Sequence, residues 1–243
     1  MDDGARTPEI SVAMLRMAYE HGTTAIVATP HANPQYRYDI SLIEQRFNEL
    51  KPLLPEGLEL YRGCDFHLSY DNIQDAIANP RKYTIHQGPY LLVEFSDLLI
   101  FNNTSEIFSR LQDAGMIPII THPERNSLLR QRLEQISSWV EAGAFNQVTA
   151  GSLLGAFGKR AQEFAKLLLE HNLLHIIASD AHDLEHRPPR MDLAFDWLRK
   201  HAGEEIARVV CFENPGATLT GAPLKLPQNT VPSALRRWYQ IWR

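Results

Sequence analysis

Cysteine is nearly absent from this chain, with only Cys64 and Cys211 among 243 residues. Two thiols cannot build the bridged framework of a small secreted scaffold, so a reducing cytoplasm is the plain expectation. Long apolar runs are also missing. Nothing approaches the roughly 18 residues of a membrane span, and the N-terminus lacks the basic and apolar regions of a signal peptide. Neither charge dominates: 24 basic residues against 29 acidic ones leave −5, which offers no general attraction to nucleic acid. No G-x-S-x-G elbow, Walker loop or dinucleotide glycine fingerprint occurs, and no internal repeat. These absences remove secreted disulfide scaffolds, membrane spans, nucleic-acid binders and several common catalytic designs.

What is present is a regular pattern. Five short apolar runs each end in a side chain able to ligate a metal. Ile26 to Pro30 leads into His31, Leu58 to Cys64 into Asp65, and Leu91 to Val93 into Glu94. Ile117 to Thr121 leads into His122, and Ile176 to Ser179 into Asp180 and His182. Short continuous aliphatic and β-branched runs read as buried parallel strands. In a barrel, the residues just past the C-terminal ends of such strands share one cavity. Imidazole and carboxylate together suit Zn, Mn or Fe rather than Ca, and several of them imply more than one ion. The pattern points to a metal-dependent hydrolase.

Helical and strand-like segments alternate, which argues an α/β fold with a mainly parallel sheet. Thr7-Pro8-Glu9 is a helix start with Thr7 as N-cap, and that helix stops near His21-Gly22. Strands are expected at about 23–29, 58–64, 90–94, 117–121, 145–149 and 174–178. Helices are expected at about 40–50, 105–115, 132–143, 158–171 and 191–202, with a last one from Glu204 ending before Asn214-Pro215. A polar section fills the chain through Asn79-Pro80-Arg81. Residues 1–221 form one domain. Residues 222–243 form a Pro-rich tail ending in Arg236-Arg237-Trp238-Tyr239-Gln240-Ile241-Trp242-Arg243, either a frayed end or a segment that docks on a partner or an anionic membrane surface.

Asp180-Ala181-His182 is the sharpest local signal, because residues two apart on a strand point to one side. In His122-Pro123-Glu124-Arg125 the proline ends the ladder and lets His122 and Arg125 face the cavity. Glu94 ends a buried run, where a carboxylate is costly unless paired or ligated. Gly63 before Asp65 permits close backbone approach. His21, His171 and His201 read as helix-end cations, and His67, His86, His175 and His186 carry no assignment. Arg125 and Arg187 sit where guanidinium forks could take phosphate oxygens in bidentate fashion, which tilts the hydrolase towards phosphoesters. A cysteine-dependent phosphatase needs an arginine six residues after its nucleophile. Those positions are Tyr70 and Ala217.

Taken together and in order, the following motifs resemble one family: Asp2-Asp3-Gly4-Ala5, Ala28-Thr29-Pro30-His31, Gly63-Cys64-Asp65, Leu92-Val93-Glu94, His122-Pro123-Glu124-Arg125, Ala150-Gly151-Ser152-Leu153, and Ser179-Asp180-Ala181-His182 with Arg187. The chain is similar over about residues 2–221 to the manganese-dependent protein-tyrosine phosphatases of bacterial capsule and exopolysaccharide operons, within the PHP (polymerase and histidinol phosphatase) superfamily. That resemblance implies a distorted (β/α)7 barrel with up to three ions at the strand ends, Mn2+ first, with Fe or Zn as alternatives. It implies Asp3, His31, Asp65, Glu94, His122, Asp180 and His182 as ligands, and Arg125 and Arg187 as phosphate holders. It implies water attacking phosphorus directly, with no phosphoenzyme, and Asp180 or a nearby His as the acid if one is needed. The substrate would be a phosphotyrosine protein, a membrane-associated bacterial tyrosine autokinase, met in the cytoplasm. A homo-oligomer is left open.

Three departures from the family pattern matter. The family opens with a strand carrying His-x-His, which this chain does not show before Asp2. Its lack should expose a sheet edge beside Ile26–Thr29 and His175–Ser179 and weaken the ion cluster; a start site placed too far downstream or a trimmed chain would explain it. Asp65 stands where the family usually has Glu, and Asn126 replaces a usual tyrosine. Two other readings follow: a small-molecule phosphoesterase of the histidinol-phosphatase kind with the same ligands, and a non-catalytic phosphotyrosine-binding module.

Overall fold

The structure, a computed structural model, describes residues 2–227. The basic aromatic segment 236–243 lies outside the described residues. Helix α1 (Pro8–Glu20) starts where Thr7 Oγ1 accepts from the Ile10 amide, as the Thr-Pro pair predicts. Strands β1 (Ala25–Ala28) and β2 (His31–Ala32) follow, then α2 (Ile40–Leu50), β3 (Glu59–Arg62) and β4 (Asp65–His67). The predicted single strand 58–64 is thus two short strands, broken at Gly63-Cys64. The section expected to be only polar contains a helix, α3 (Tyr70–Ala78). Ser69 caps it and Ile73 and Ala76 are buried; a short Asp- and Asn-rich sequence of weak helical propensity is held by that cap and by packing.

Next come β5 (Tyr90–Glu94), α4 (Thr104–Asp113), β6 (Ile117–Thr121), α5 (Leu133–Glu141), β7 (Phe145–Thr149), the short α6 (Ala150–Leu153), α7 (Lys159–Glu170), β8 (Ile176–Ala178) and α8 (Asp192–Ala202). The helix expected to end before Asn214-Pro215 does not. It runs as α9 (Glu204–Arg208), a π-helical stretch (Val209–Glu213) and α10 (Asn214–Thr220). Pro215 falls in the first turn of α10, where its missing N–H and fixed φ cost little. Among the described residues no helix is long and apolar enough to cross a membrane.

All strand pairs are parallel. One sheet has the order β2-β4-β5-β6-β7-β8 and the other pairs β1 with β3. Both faces of the larger sheet are buried, as parallel strands require. Leu91, Val93, Ile120, Val148 and Ile177 pack under the helices, while Tyr90, Leu92, Ile119 and Ile176 face a second apolar cluster with Ile85 and Leu224. Beyond Gly221 the chain stays on this body: Tyr90 donates to the Ala222 carbonyl and the Lys225 amide to Asn214 Oδ1. β1 pairs only with β3 and β8 only with β7 among the described residues. Between those two edges lies a cavity of about 1230 Å3, lined by Ile26, Val27, Ile176 and Ile177 and reaching His31, His122 and Asp180.

Candidate metal centre

Parallel pairing brings the strand ends to one side of the sheet. His31 opens β2 opposite Asp65, and His67 in β4 lies opposite Glu94 at the end of β5. His122 follows β6, and Asp180 and His182 follow β8. Two of these turns are conformationally demanding: His122 has φ +34° and Asp180 φ +49°, left-handed values uncommon for residues other than glycine. Such backbone persists where the surroundings over-determine it, often at functional sites. Gly63 does what its sequence position suggests. A Cβ there would lie 2.8 Å from Val27 Cγ1 and 3.2 Å from Thr29 Cγ2, so only glycine lets β1 approach this closely.

The side chains converge. His31 Nδ1 is 3.7 Å from Asp65 Oδ2 and 3.6 Å from Glu94 Oε2, and His31 Nε2 is 3.3 Å from Asp3 Oδ1. His122 Nε2 is 3.6 Å from Asp65 Oδ2 and 3.9 Å from Glu94 Oε1, and His182 Nε2 is 3.6 Å from Asp3 Oδ1. Most of these separations exceed a hydrogen bond. They match donors that each sit about 2.0–2.2 Å from a shared cation. His31 Nδ1 is buried with no hydrogen-bond partner, an orphan that a cation would satisfy. Two groups have mutually close donor atoms: Asp3, His31 and His182, and His31, Asp65 and Glu94, with His31 common to both. The imidazole and carboxylate set fits first-row divalent ions. Burial alone would push the His122 imidazole down, but the Asp65 carboxylate beside it outweighs that and raises its pKa.

Asp180 stands apart from those two groups. Its Oδ2 receives Arg125 Nη1 and also Arg187 Nη2, the latter at 2.5 Å. Burial works to raise the Asp180 pKa, but His122, Arg125, Arg187 and His182 together hold it down to about 2. Asp180 is therefore an anion at neutral pH that gathers two guanidinium groups at the edge of the carboxylate and imidazole cluster. The loop after it is tightly built. Asp183 Oδ1 accepts from the amides of Glu185, His186 and Arg187, and the His182 amide donates to the Arg187 carbonyl. A site with close acidic and imidazole donors beside paired arginines can hold cations and an oxyanion together.

The structure also places residues that the sequence did not single out. His67 Nδ1 lies 3.7 Å from Glu94 Oε2, and Asp2 Oδ2 accepts from the His31 amide. Thr121 Oγ1 donates to Asp65 Oδ1. Glu124 is fully buried, its Oε1 taking Ser152 Oγ and the Thr149 amide, and burial raises its pKa. The alternation of His67 with Asp65 along β4 was available as a sequence signal, and Asp2, Glu124 and Ser152 stood within quoted motifs without a role of their own. Asn126, the departure noted in the family pattern, is buried. It donates to the Phe95 and Ser96 carbonyls and accepts from the Leu128 and Leu129 amides, so it ties the turns after β5 and β6 together. His21 and His171 cap helices and His201 bonds the Trp197 carbonyl, all helix-end positions. Cys64 is buried in the core with its thiol pushed well up by burial, and burial pushes Cys211 up to about 12. Neither is an activated thiolate.

A family model for capsular polysaccharide synthesis, CpsB/CapC, matches residues 1–220. CapC of Staphylococcus aureus is 38% identical over 246 residues, covering 99% of this chain and 95% of CapC. Tyrosine-protein phosphatase YwqE of Bacillus subtilis is 34% identical over 210 residues, covering 85% of this chain and 82% of YwqE. Tyrosine-protein phosphatase CpsB of Streptococcus pneumoniae is 26% identical, covering 88% and 92%. A crystal structure from work on YwqE of Bacillus subtilis and CpsB of Streptococcus pneumoniae, metal-dependent tyrosine phosphatases, superposes with a TM-score of 0.84 at 32% identity, covering 95% of each chain.

Proposed function

The chain belongs to the CpsB/CapC family of capsular polysaccharide synthesis, and from that membership we propose that it is a metal-dependent protein-tyrosine phosphatase. One observation in this molecule carries the reading. His31 and His122 each bring a ring nitrogen within 3.6–3.9 Å of an oxygen of Asp65 and of Glu94, the four residues being borne on four separate strands or the turns beside them. In this proposal Asp3, His31, Asp65, Glu94, His122, Asp180 and His182 hold up to three divalent ions, Mn2+ before Fe or Zn.

Bound divalent ions lower the pKa of water towards neutrality and neutralise charge on phosphoryl oxygens. The chain's own residues supply the rest. Arg125 and Arg187 take phosphate oxygens with their guanidinium forks, a match that ammonium groups do not offer. Asp180 holds both guanidinium groups on Oδ2 and, as an anion at neutral pH, acts in this reading as acceptor and ligand, not as the acid. A tyrosyl phenolate has a pKa of about 10 and leaves without much proton assistance. The absence of an activated thiolate agrees with direct attack by water. The substrate in this reading is a phosphotyrosine protein, and the partner we favour is a tyrosine autokinase at the cytoplasmic membrane face.

The experiment is release of orthophosphate from phosphotyrosyl peptides by the Mn2+-loaded protein, with histidinol phosphate alongside. Faster turnover of the peptides is expected. Preference for histidinol phosphate would overturn the substrate, and peptide binding without turnover would overturn the activity.

A further inference from the structure

Phe157 belongs to neither apolar core cluster and is half-buried between α6 and α7. Its ring faces the two arginines instead. Arg125 Cζ lies 4.5 Å from the ring centroid and Arg187 Cζ 5.8 Å, both within cation–π range. Those guanidinium groups share a single carboxylate oxygen, Asp180 Oδ2. One carboxylate faces two guanidinium groups, so one positive charge is left uncompensated, and Arg187 Nε is buried with no hydrogen-bond partner. The negative face of an aromatic ring offers the second attraction that keeps both cations in place.

The ring's seat is fixed with respect to Arg125. A Cβ on Gly151 would stand 3.1 Å from Phe157 Cε2, so glycine at that position gives the ring its room. The neighbouring Ser152 Oγ donates to Glu124 Oε1 at 2.7 Å, and the Thr149 amide donates to the same oxygen at 3.0 Å. Glu124 directly precedes Arg125, and Arg130 Nη1 donates to the carbonyls of both. The stretch from Thr149 to Phe157 is thus bonded to the turn that carries Arg125.

We propose that Phe157 is a positioning residue of the phosphate clamp: its ring, seated over Gly151, holds the Arg125 and Arg187 guanidinium groups together for a phosphate monoester. This deepens the phosphatase reading and rests on it for the substrate. The test compares F157L and F157W in the Mn2+-loaded protein, using orthophosphate binding by calorimetry and the kinetics of an aryl phosphate. F157L should weaken orthophosphate binding about 3- to 10-fold, the range expected for losing contacts of this type. It should raise KM by a similar factor while kcat and metal content stay level, and F157W should restore both affinities. G151A, whose Cβ would stand 3.1 Å from Phe157 Cε2 and shift the ring by a few tenths of an ångström, should move KM in the same direction. Unchanged orthophosphate affinity in F157L, or no recovery in F157W, would overturn the proposal. If phosphotyrosyl peptides are not hydrolysed but F157L still loses orthophosphate, the substrate reading fails and the role of Phe157 stands.

Discussion

Thr121 Oγ1 stands 3.2 Å from both Asp65 Oδ1 and the Val93 carbonyl and shares its one proton between them, while Asp65 Oδ2 faces His31 and His122. The hydroxyl thus contacts a candidate ligand on the oxygen turned away from the two imidazoles. Groups of this kind commonly tune metal affinity by about 10- to 100-fold. T121V should weaken Mn2+ binding by roughly tenfold while T121S retains it, as read by metal titration. Equal affinity in T121V would show that Asp65 does not depend on this bond.

Chelation and thiol chemistry separate the proposed mechanism from a cysteine-dependent one. Removing divalent ions should abolish turnover, and adding Mn2+ back should restore it. Alkylating agents should leave turnover unchanged, because Cys64 is buried and both thiols are pushed up in pKa by burial. Loss of activity on alkylation of the native protein would contradict the proposal.

The arginine pair predicts a graded response. R125A should lower kcat/KM for phosphotyrosyl substrates by roughly 100-fold, the scale seen when one preorganised donor is removed. R125K keeps the charge but loses the fork and should recover only part of this. R187A and R187K should rank in the same order. Full recovery by lysine at both positions would mean that charge alone, not fork geometry, holds the phosphate.

His175 should leave a mark on acid stability. It is fully buried, Nδ1 accepts from the Asn146 amide, and burial pushes its pKa down to about 4. The unfolded chain takes up that proton near pH 6.5 and the folded one does not. Its contribution is therefore complete above about pH 6.5, falls as pH drops, and levels off below about 4. The loss is on the order of 3 kcal/mol. Urea unfolding at pH 7 and pH 4.5 should show H175Q losing less stability over that interval than the native chain. Equal losses would remove His175 from the acid response.

Much of the candidate site was legible because buried strands are written as apolar runs, and a polar residue closing such a run is conspicuous. His31, Asp65, Glu94 and His122 stand at those ends, and the structure brings them together. Strands 117–121 and 145–149 fall where the runs predict them. Asp180 was legible as a candidate, but not its grip on both arginines, which follows a turn with positive φ. The role of Glu124, which stood only as part of a motif, and Phe157 altogether were hidden for a different reason. The partners of Glu124 lie 25 and 28 residues away, and Phe157 meets Arg125 only because α6 packs beside the turn after β6. The helix at Tyr70–Ala78 was missed because its cap and two buried residues, not its propensity, sustain it. Pro215 misled because a proline in the first turn of a helical segment reads, in one dimension, like a stop.

Where bound Mn2+ sits can be measured directly, by anomalous scattering from crystals of the protein grown with Mn2+. Density should appear between His31 Nδ1, Asp65 and Glu94, with His122 beside it, and a further peak between Asp3, His31 and His182. Manganese bound only at surface carboxylates, with those side chains unmoved and hydrogen-bonded to water, would contradict the proposed centre.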